Sequence, residues 1–169
     1  IYYTPLSEIY HYIIVDDMTK ENVDELITDG FQPSILLESS DSNFQCILTV
    51  PKLGTEFDRD VGNRLTEQLN QKYGDPNFSG CVHPHRAPGF QNRKPKHRRA
   101  DGSFPKVSIV WSQGRVCSKT LELSRRIDTD YAEATQARKQ RLTAERSSPS
   151  SFLPGNSISA YQAHLANIR

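Results

Sequence analysis

The apolar residues of this chain switch repeatedly between the two-residue spacing of a strand and the four-residue spacing of a helix. In the segment 44–50 every second residue is apolar, which is typical of a strand with one buried face. Between about Thr55 and Tyr73 an apolar residue recurs at every fourth position, which predicts an amphipathic helix. The same pattern predicts further strands at 9–15, 34–38 and 107–111, and a helix that begins at Asp17 or Thr19 and ends at Gly30.

The predicted elements follow one another in the order β-α-β-β-α-β, which is the ferredoxin-like or RRM-like α+β pattern. We place this domain at residues 1–118, followed by a polar helix at 119–146 and by a Ser/Pro linker with a short helix at 147–169. An irregular segment of 31 residues, 75–105, precedes the last strand of the domain. Many unrelated proteins share this element order, so it predicts an architecture but no function.

Composition excludes several classes of protein. The chain is 36% hydrophobic and 24% charged, which is ordinary for a globular protein, and its apolar runs are far shorter than a bilayer span. Its three cysteines are widely spaced and odd in number, which fits a reducing cytoplasm better than a disulfide framework. We therefore expect a cytoplasmic location and no membrane partner. Because the chain begins with Ile1 in strand-like sequence, we also expect sequence upstream of it.

Positive charge is concentrated in one part of the irregular segment. The formal net charge is only +1, yet residues 83–99, here called the basic strip, contain six Arg or Lys residues and no Asp or Glu. Arg binds phosphate with two parallel hydrogen bonds, and Lys binds it as a point charge. The strip is therefore either a phosphate-binding segment or a solvated basic loop that contacts nucleic acid non-specifically.

Asp16 and Asp17 end the first strand, at the sheet edge where loops and ligands meet. Paired carboxylates suit hard cations such as Mg²⁺, and two such ions can activate a hydroxyl and neutralise a leaving pyrophosphate. Asp17 could instead cap the following helix, with Asp16 as an exposed strand end. Adjacent strand residues also point to opposite faces, so both can bind one site only where the strand is irregular.

Other polar residues are candidates with equally plain alternatives. Asp75 precedes Pro76 and is by itself a turn residue. Ser40, Asn43 and Gln45 lie on the predicted hairpin and could donate hydrogen bonds to a nucleotide or simply favour a turn. His83 and His85 form an H-x-H pair, although Pro84 between them restricts the backbone, so a phosphate contact is favoured over a transition-metal site.

Four segments together resemble a known family. They are Ile13-Ile-Val-Asp-Asp-Met18, Leu37-Glu-Ser-Ser-Asp-Ser-Asn-Phe-Gln45, Tyr73-Gly-Asp-Pro76 and Arg86-Ala-Pro-Gly-Phe-Gln-Asn-Arg-Lys-Pro-Lys-His97. In order and spacing they are similar to the RepB-type replication primases of mobilisable plasmids, within the archaeo-eukaryotic primase superfamily. The resemblance runs from about Tyr2 to Trp111. This sequence departs from the family at Ser40-Asp41, where a Ser/Thr-Pro step is usual.

The resemblance implies a polymerase-palm-like sheet and a nucleotidyltransferase that makes primers on single-stranded DNA at a plasmid origin. It implies that Asp16, Asp17 and Asp75 are the catalytic carboxylates and bind Mg²⁺ or Mn²⁺. The expected partners are the DNA template, nucleoside triphosphates and a plasmid helicase or relaxase. The segment expected near the incoming nucleotide contributes His83, Arg86, Asn92, Arg93 and Lys94, and the residues expected to meet template phosphates are Lys96, His97, Arg98 and Arg99.

Two other functions remain possible from the residues alone. The first is a single-stranded nucleic-acid-binding domain without catalysis, although its strands offer few exposed aromatic residues on which bases could stack. The second is an endonuclease that nicks DNA through a tyrosine, using His83, His85 and Tyr131.

Overall fold

The structure is a computed structural model that describes residues 1–147. The linker and the short helix predicted after residue 147 lie outside the described residues. The elements in chain order are β1 (Tyr2–Tyr3), β2 (Tyr10–Met18), α1 (Lys20–Thr28), β3 (Ile35–Ser40), β4 (Asn43–Pro51), α2 (Asp58–Tyr73), β5 (His85–Arg86), a 3₁₀ turn (Pro95–His97), β6 (Ser108–Ser112) and α3 (Ser118–Ser147). Each predicted strand and helix within the described residues therefore has a counterpart, with ends that differ by a few residues.

Four strands form an antiparallel sheet in the order β2-β4-β3-β6. Strands β2 and β3 run parallel with β4 between them, which is the split βαβ arrangement. The ferredoxin-like arrangement is not reproduced in full, because it places the last strand beside the first. Here β6 pairs with β3 at the other edge of the sheet, with Leu36 opposite Trp111.

The outer edge of β2 explains the position of β6. Along that strand, the side chain of Asn70 from α2 donates to the Ile14 carbonyl at 2.7 Å and accepts from the Asp16 amide at 3.0 Å. A further strand beside β2 would need these same backbone groups. Because these two backbone groups are already hydrogen-bonded to Asn70, β6 pairs with β3 at the opposite edge of the sheet. The long segment before β6 is what allows the chain to cross to that edge.

The main core lies between the sheet and the helices. The apolar face of β4, which the sequence pattern predicted, is buried together with the inner face of β2 and the four-residue stripe of α2. Helix α1 adds Val23 and Leu26 to this core. The fully buried residues at its centre are Ile13, Val15, Leu48, Val50, Val61 and Leu65.

Helix α1 is capped by Thr19 and not by Asp17. The Thr19 side chain accepts from the Asn22 amide at 3.2 Å, and the Asn22 side chain accepts from the Thr19 amide at 3.1 Å. This reciprocal capping box satisfies the start of the helix. The carboxylate of Asp17 is therefore not used as a cap and is available for another role.

The chain divides into two units, 1–133 and 134–169. The first unit includes the sheet, α1, α2 and the beginning of α3, where Cys117 and Ile127 are buried. Residues 134–147, the described part of the second unit, continue α3 as a polar helix. None of the helices within residues 1–147 combines the length and apolar content needed to cross a bilayer.

Replacing Asn70 by Ala should destabilise the protein by about 2–4 kcal/mol, because the Ile14 carbonyl and the Asp16 amide would lose their partner in a buried place. Urea unfolding followed by circular dichroism measures this free energy. The control is Gln71→Ala on the exposed face of the same helix, which should stay within about 0.5 kcal/mol of the parent chain. Equal stability of the two variants would contradict the role assigned to Asn70.

Candidate active site

A β-bulge brings the two adjacent aspartates to one place. Val15 pairs with Cys46 and Met18 with Phe44, so Asp16 and Asp17 together face the single residue Gln45. Asp17 has a φ of +57°, a left-handed conformation that few residues other than glycine adopt. Both carboxylates can reach one site only if the strand is irregular, and the bulge provides that irregularity. The two carboxylates line the same pocket.

Asp75 is tied directly to this bulge. Its backbone amide donates to the Asp16 carbonyl at 2.9 Å, across 59 residues of sequence. The neighbouring Gly74 makes the approach possible, since a Cβ there would lie 2.5 Å from the Asp16 carbonyl oxygen and 2.7 Å from the Asn70 side chain. The structure therefore places Asp75 beside Asp16, although no local pattern in the sequence required it.

Each of the three carboxylates already accepts a hydrogen bond. The Asp17 amide donates to Asp16 Oδ1 at 2.9 Å, and the Asn43 side chain donates to Asp17 Oδ1 at 2.5 Å. Asp75 Oδ1 accepts from the Asn77 amide at 2.9 Å, so Asp75 is a turn residue that also lines the pocket. These bonds orient the acids and leave the second oxygen of each carboxylate for a ligand.

Burial and like charge act together on Asp16. Burial raises the pKa of this carboxyl above its ordinary value, and the charges of Asp17 and Asp75 push it in the same direction. Hydrogen bonding from the Asp17 amide and the charge of Lys94 oppose that shift. A cation bound among the three acids would stabilise the ionised form that the empty arrangement disfavours.

Within residues 1–147, no three His, Cys, Asp or Glu side chains are grouped closely enough to form a ready metal site. The donors themselves fit a hard cation, because all three acids offer oxygen and line one pocket. Asp17 is exposed and Asp75 is half-buried, so rotation of either side chain meets little packing. It is the chemistry of these donors, and not their present spacing, that fits a divalent cation.

The pocket at the bulge, here called the Asp16 pocket, has a volume of about 240 Å³ and combines both signs of charge. The three acids lie among its lining, and the basic strip contributes cationic and imidazole side chains. The predicted site residues that line it are Asp16, Asp17, Asn43, Gln45, Asp75, Arg86, Asn92, Lys94, Lys96 and His97. Tyr2, Ser39, Pro84 and His85 complete the lining.

Several buried polar atoms in this pocket lack a partner. Gln45 Oε1, both ring nitrogens of His85 and Arg86 Nη2 have no hydrogen bond to any described residue. Unpaired buried groups are costly, so their concentration in one pocket marks a place that a polar ligand would complete. Burial also lowers the pKa of His85 to about 4, so its imidazole is neutral at physiological pH.

A small second sheet, which lies outside the predicted strands, positions His85 and Arg86. Strand β1 pairs with β5, so that Tyr2 lies opposite Arg86 and Tyr3 opposite His85. The Tyr3 ring lies 3.8 Å from that of His85, and the Arg86 guanidinium lies 4.8 Å from the Tyr2 ring. His85 is therefore a pocket residue that our sequence analysis considered only as half of an H-x-H pair.

Some residues that we expected to contact the nucleotide lie outside the pocket lining or make hydrogen bonds within the protein. Ser40 is buried outside the pocket lining, and Ser39 lines the pocket in its place, donating to Asn43 Oδ1 at 2.8 Å. Asn92 reaches the pocket, but its side-chain Nδ2 donates to the Ser39 carbonyl at 2.9 Å. This bond anchors the basic strip to β3. Arg93 also lies outside the lining and donates to Gln91 at 3.1 Å.

Arg98 and Arg99 lie outside the pocket lining as well. Arg99 forms an ion pair with Asp41, with Nη2 2.6 Å from Oδ1, and its hydrogen bond lowers the pKa of that carboxyl. The departure at Ser40-Asp41 therefore adds a negative charge that Arg99 offsets. The pair also ties the basic strip to the β3–β4 hairpin.

The two histidines of the H-x-H pair do not share a site. His83 packs its ring 4.2 Å from that of Phe78, outside the Asp16 pocket, whereas His85 lines it. Tyr131 stacks on Phe57 at 6.0 Å, next to the main core. The structure does not bring together the three residues that a tyrosine-dependent nicking site would need.

Asp16→Asn should stabilise the ligand-free protein at neutral pH, because it removes a charge whose pKa is raised by burial while keeping the oxygen that accepts from Asp17. A raised carboxyl pKa means that stability is lost as the pH rises from the unfolded through the folded pKa. The gain should therefore be complete at pH 7 and vanish below about pH 3.

Thermal unfolding across this pH range, with metal chelated, measures the effect. Asp60→Asn on the exposed surface of α2 is the matched control. A variant that is less stable than the parent chain at pH 7 and equal to it in acid would contradict the assignment.

Comparison with known proteins agrees with the geometry. The profile of the RepB DNA-primase N-terminal domain family matches residues 1–134. A DNA primase of Acidithiobacillus ferrooxidans is 48% identical over 171 residues, covering 99% of this chain and 49% of that protein. Mobilization protein A of Escherichia coli is 26% identical over 148 residues, covering 86% of this chain and 20% of that protein. The chain thus spans about half the length of the first relative and less of the second.

Two solved structures share the fold. Primase RepB′ superposes with a TM-score of 0.62 and 23% identity, over 83% of this chain and 48% of that one. The catalytic domain of RepB′ in complex with initiator DNA gives a TM-score of 0.61 and 23% identity, over 78% and 66% of the two chains. The family match over residues 1–134 confirms the resemblance inferred from the four sequence segments: the chain belongs to the RepB DNA-primase N-terminal domain family.

Proposed function

We propose that this domain synthesises primers on single-stranded DNA by metal-dependent nucleotidyl transfer, with its active centre at the Asp16 pocket. The observation that carries the proposal is the meeting of three carboxylates with cationic side chains in one pocket, secured by the bond from the Asp75 amide to the Asp16 carbonyl. Membership of the primase family supports the reaction class.

The acids have a shared task in this proposal. Two Mg²⁺ or Mn²⁺ ions, when bound, would activate the attacking hydroxyl and neutralise charge on the leaving pyrophosphate. Asp16 would form the fixed part of the site, because it is half-buried and hydrogen-bonded to Asp17 and Asn70. Asp17 and Asp75 would turn their free oxygens towards the same point.

The basic strip would hold the nucleotide. Arg86 and Lys94 line the same pocket as the acids, and their charge suits the triphosphate. Gln45 and His85 have unpaired buried polar atoms and would form hydrogen bonds with the same nucleotide. Lys96 and His97 would lie where the template enters, and Arg98, being exposed, would meet its phosphates.

The wider setting is inferred from the relatives. One relative is a DNA primase, another is a mobilization protein, and the similar RepB′ catalytic domain was solved with initiator DNA. We propose by extension that this domain primes plasmid replication in the cytoplasm, where a helicase or relaxase would work beside it.

One observation favours the rival function, a single-stranded DNA-binding domain without catalysis. Within residues 1–147 the acids do not form a ready three-ligand metal group. The rival predicts DNA affinity that falls with salt and that does not change when the acids or the metal are removed. It also predicts no incorporation of nucleotides, which separates the two functions in one assay.

The Asp16→Ala, Asp17→Ala double variant and the Asp75→Asn variant should each lose primer synthesis by at least about a hundredfold, because bound metal contributes several kcal/mol to transition-state stabilisation. Incorporation of labelled nucleotides on single-stranded DNA with Mg²⁺ or Mn²⁺ measures the loss. Chelation of the metal should abolish synthesis in the parent chain.

The matched control is Asp60→Ala, an exposed aspartate of α2 outside the pocket, which should retain activity. Circular dichroism and DNA binding verify that each variant is folded. Full activity in a folded Asp16→Ala, Asp17→Ala variant would rule out the assignment.

A further inference from the structure

A second cavity lies at the other end of β2 from the bulge. This cavity, here called the Lys52 pocket, has a volume of about 650 Å³. It is lined by the first residues of β2, the start of α2, and the segments 5–8 and 80–82. Tyr10, in its lining, is six residues from Asp16 along β2, or about 20 Å at the usual rise per residue.

Tyrosine side chains of β2 and β1 line this pocket, a third cavity and the Asp16 pocket. Tyr10 and Tyr12 line the Lys52 pocket, with ring centroids 6.5 Å apart. Tyr12 also lines a third cavity of about 340 Å³ on the open face of the sheet, together with Tyr3. Tyr2, which precedes Tyr3 in β1, lines the Asp16 pocket. We call these four residues the tyrosine row.

Rows of aromatic rings flanked by cations are typical of single-stranded DNA sites, because every base can stack on a ring. The sequence suggested few exposed aromatics on the strands. Strand β1, at the strand-like start of the chain, supplies two of them: Tyr2 is 54% exposed and Tyr3 is 38% exposed.

The Lys52 pocket offers positive charge to a phosphate. Arg59 is exposed and has no ion-pair partner among the described residues, and Lys52 Nζ donates only to the Ser7 carbonyl, at 2.8 Å. Both carboxylate oxygens of Asp58 already accept hydrogen bonds, from the backbone amides of Leu53 and Gly54. Glu8 is the one exposed acid in the lining, and it opposes an anionic ligand.

His11 adds a buried polar group to the same lining. It is 6% exposed, and its Nε2 has no hydrogen-bond partner among the described residues. Burial lowers the pKa of this imidazole, so it is neutral at physiological pH and carries one donor and one acceptor. Base edges present both kinds of group, so a base is a suitable partner.

We propose that the tyrosine row and the Lys52 pocket bind the single-stranded DNA template on one side of the Asp16 pocket, with bases stacked on the rings and a phosphate at Arg59. At about 3.4 Å per stacked nucleotide, the roughly 20 Å of β2 from Tyr10 to Asp16 corresponds to roughly six nucleotides. The inference rests on the proposed function, because the Asp16 pocket defines where the template must arrive.

Fluorescence anisotropy with a labelled oligothymidylate of about twelve nucleotides tests the site, with metal chelated and no nucleoside triphosphate present. Arg59→Glu should weaken binding by about tenfold and reduce the salt slope by about 0.7, the value for one phosphate contact on a single strand. The matched control is Arg64→Glu, another exposed arginine of α2 outside the pocket, which should bind like the parent chain.

Two further variants test the stacking and the opposing charge. Tyr12→Leu should weaken binding by at least about fivefold, the effect of losing one stacked base, whereas Tyr12→Phe keeps the ring and should bind like the parent chain. Glu8→Gln should tighten binding by about twofold or threefold, because it removes the one exposed acid of the lining.

Unchanged affinity in both Arg59→Glu and Tyr12→Leu would overturn the proposal. So would dTMP that binds as tightly as the oligonucleotide, since the pocket would then hold a free nucleotide. If Tyr12→Leu fails to fold, the exposed Arg59 still decides the question. A chain that binds as expected but makes no primers contradicts the proposed function alone, and the reverse result contradicts this inference alone.

Discussion

The hydrogen bond from the Asp75 amide to the Asp16 carbonyl is the constraint on which the candidate site depends. It joins the end of α2 to the bulged end of β2, and Gly74 permits the contact because a side chain there would overlap the β2 backbone. Asn70 secures the same junction one turn earlier. Without this junction, Asp75 would be an ordinary turn residue, and the two aspartates of the bulge would lack a third oxygen donor.

The site is arranged at a cost to stability. Burial and neighbouring negative charge disfavour ionised Asp16, and unpaired polar atoms of Gln45, His85 and Arg86 surround it. Natural proteins break local rules mainly where a ligand restores the balance. Cations among the acids and phosphates against the arginine would satisfy both halves of the pocket, as the proposed nucleotidyl-transfer site requires.

The basic strip is a folded part of this domain and not a solvated loop. Asn92 ties it to β3, Arg99 ties it to the β3–β4 hairpin, and β5 within it pairs with β1. As a result, some of its positive charges line the Asp16 pocket and others form structural contacts. Lys94 and Lys96 face the pocket, whereas Arg99 is used for structure. A charge cluster in sequence is therefore only a first guide to which cations meet a ligand.

The amino-acid sequence by itself determined the four strands of the main sheet and the helices, because apolar spacing, capping residues and terminal glycines act within a few residues of one another. It also placed the paired acids at the end of a strand and the cations in one segment. Tertiary structure decided what local spacing does not encode. The bond between residues 16 and 75, the bulge, the pairing of β1 with β5 that delivers His85, and the placement of β6 beside β3 all join distant parts of the chain. Such contacts depend on which backbone groups remain free after the core has packed. The edge of β2 is the plainest example, because the Asn70 side chain there bonds the Ile14 carbonyl and the Asp16 amide.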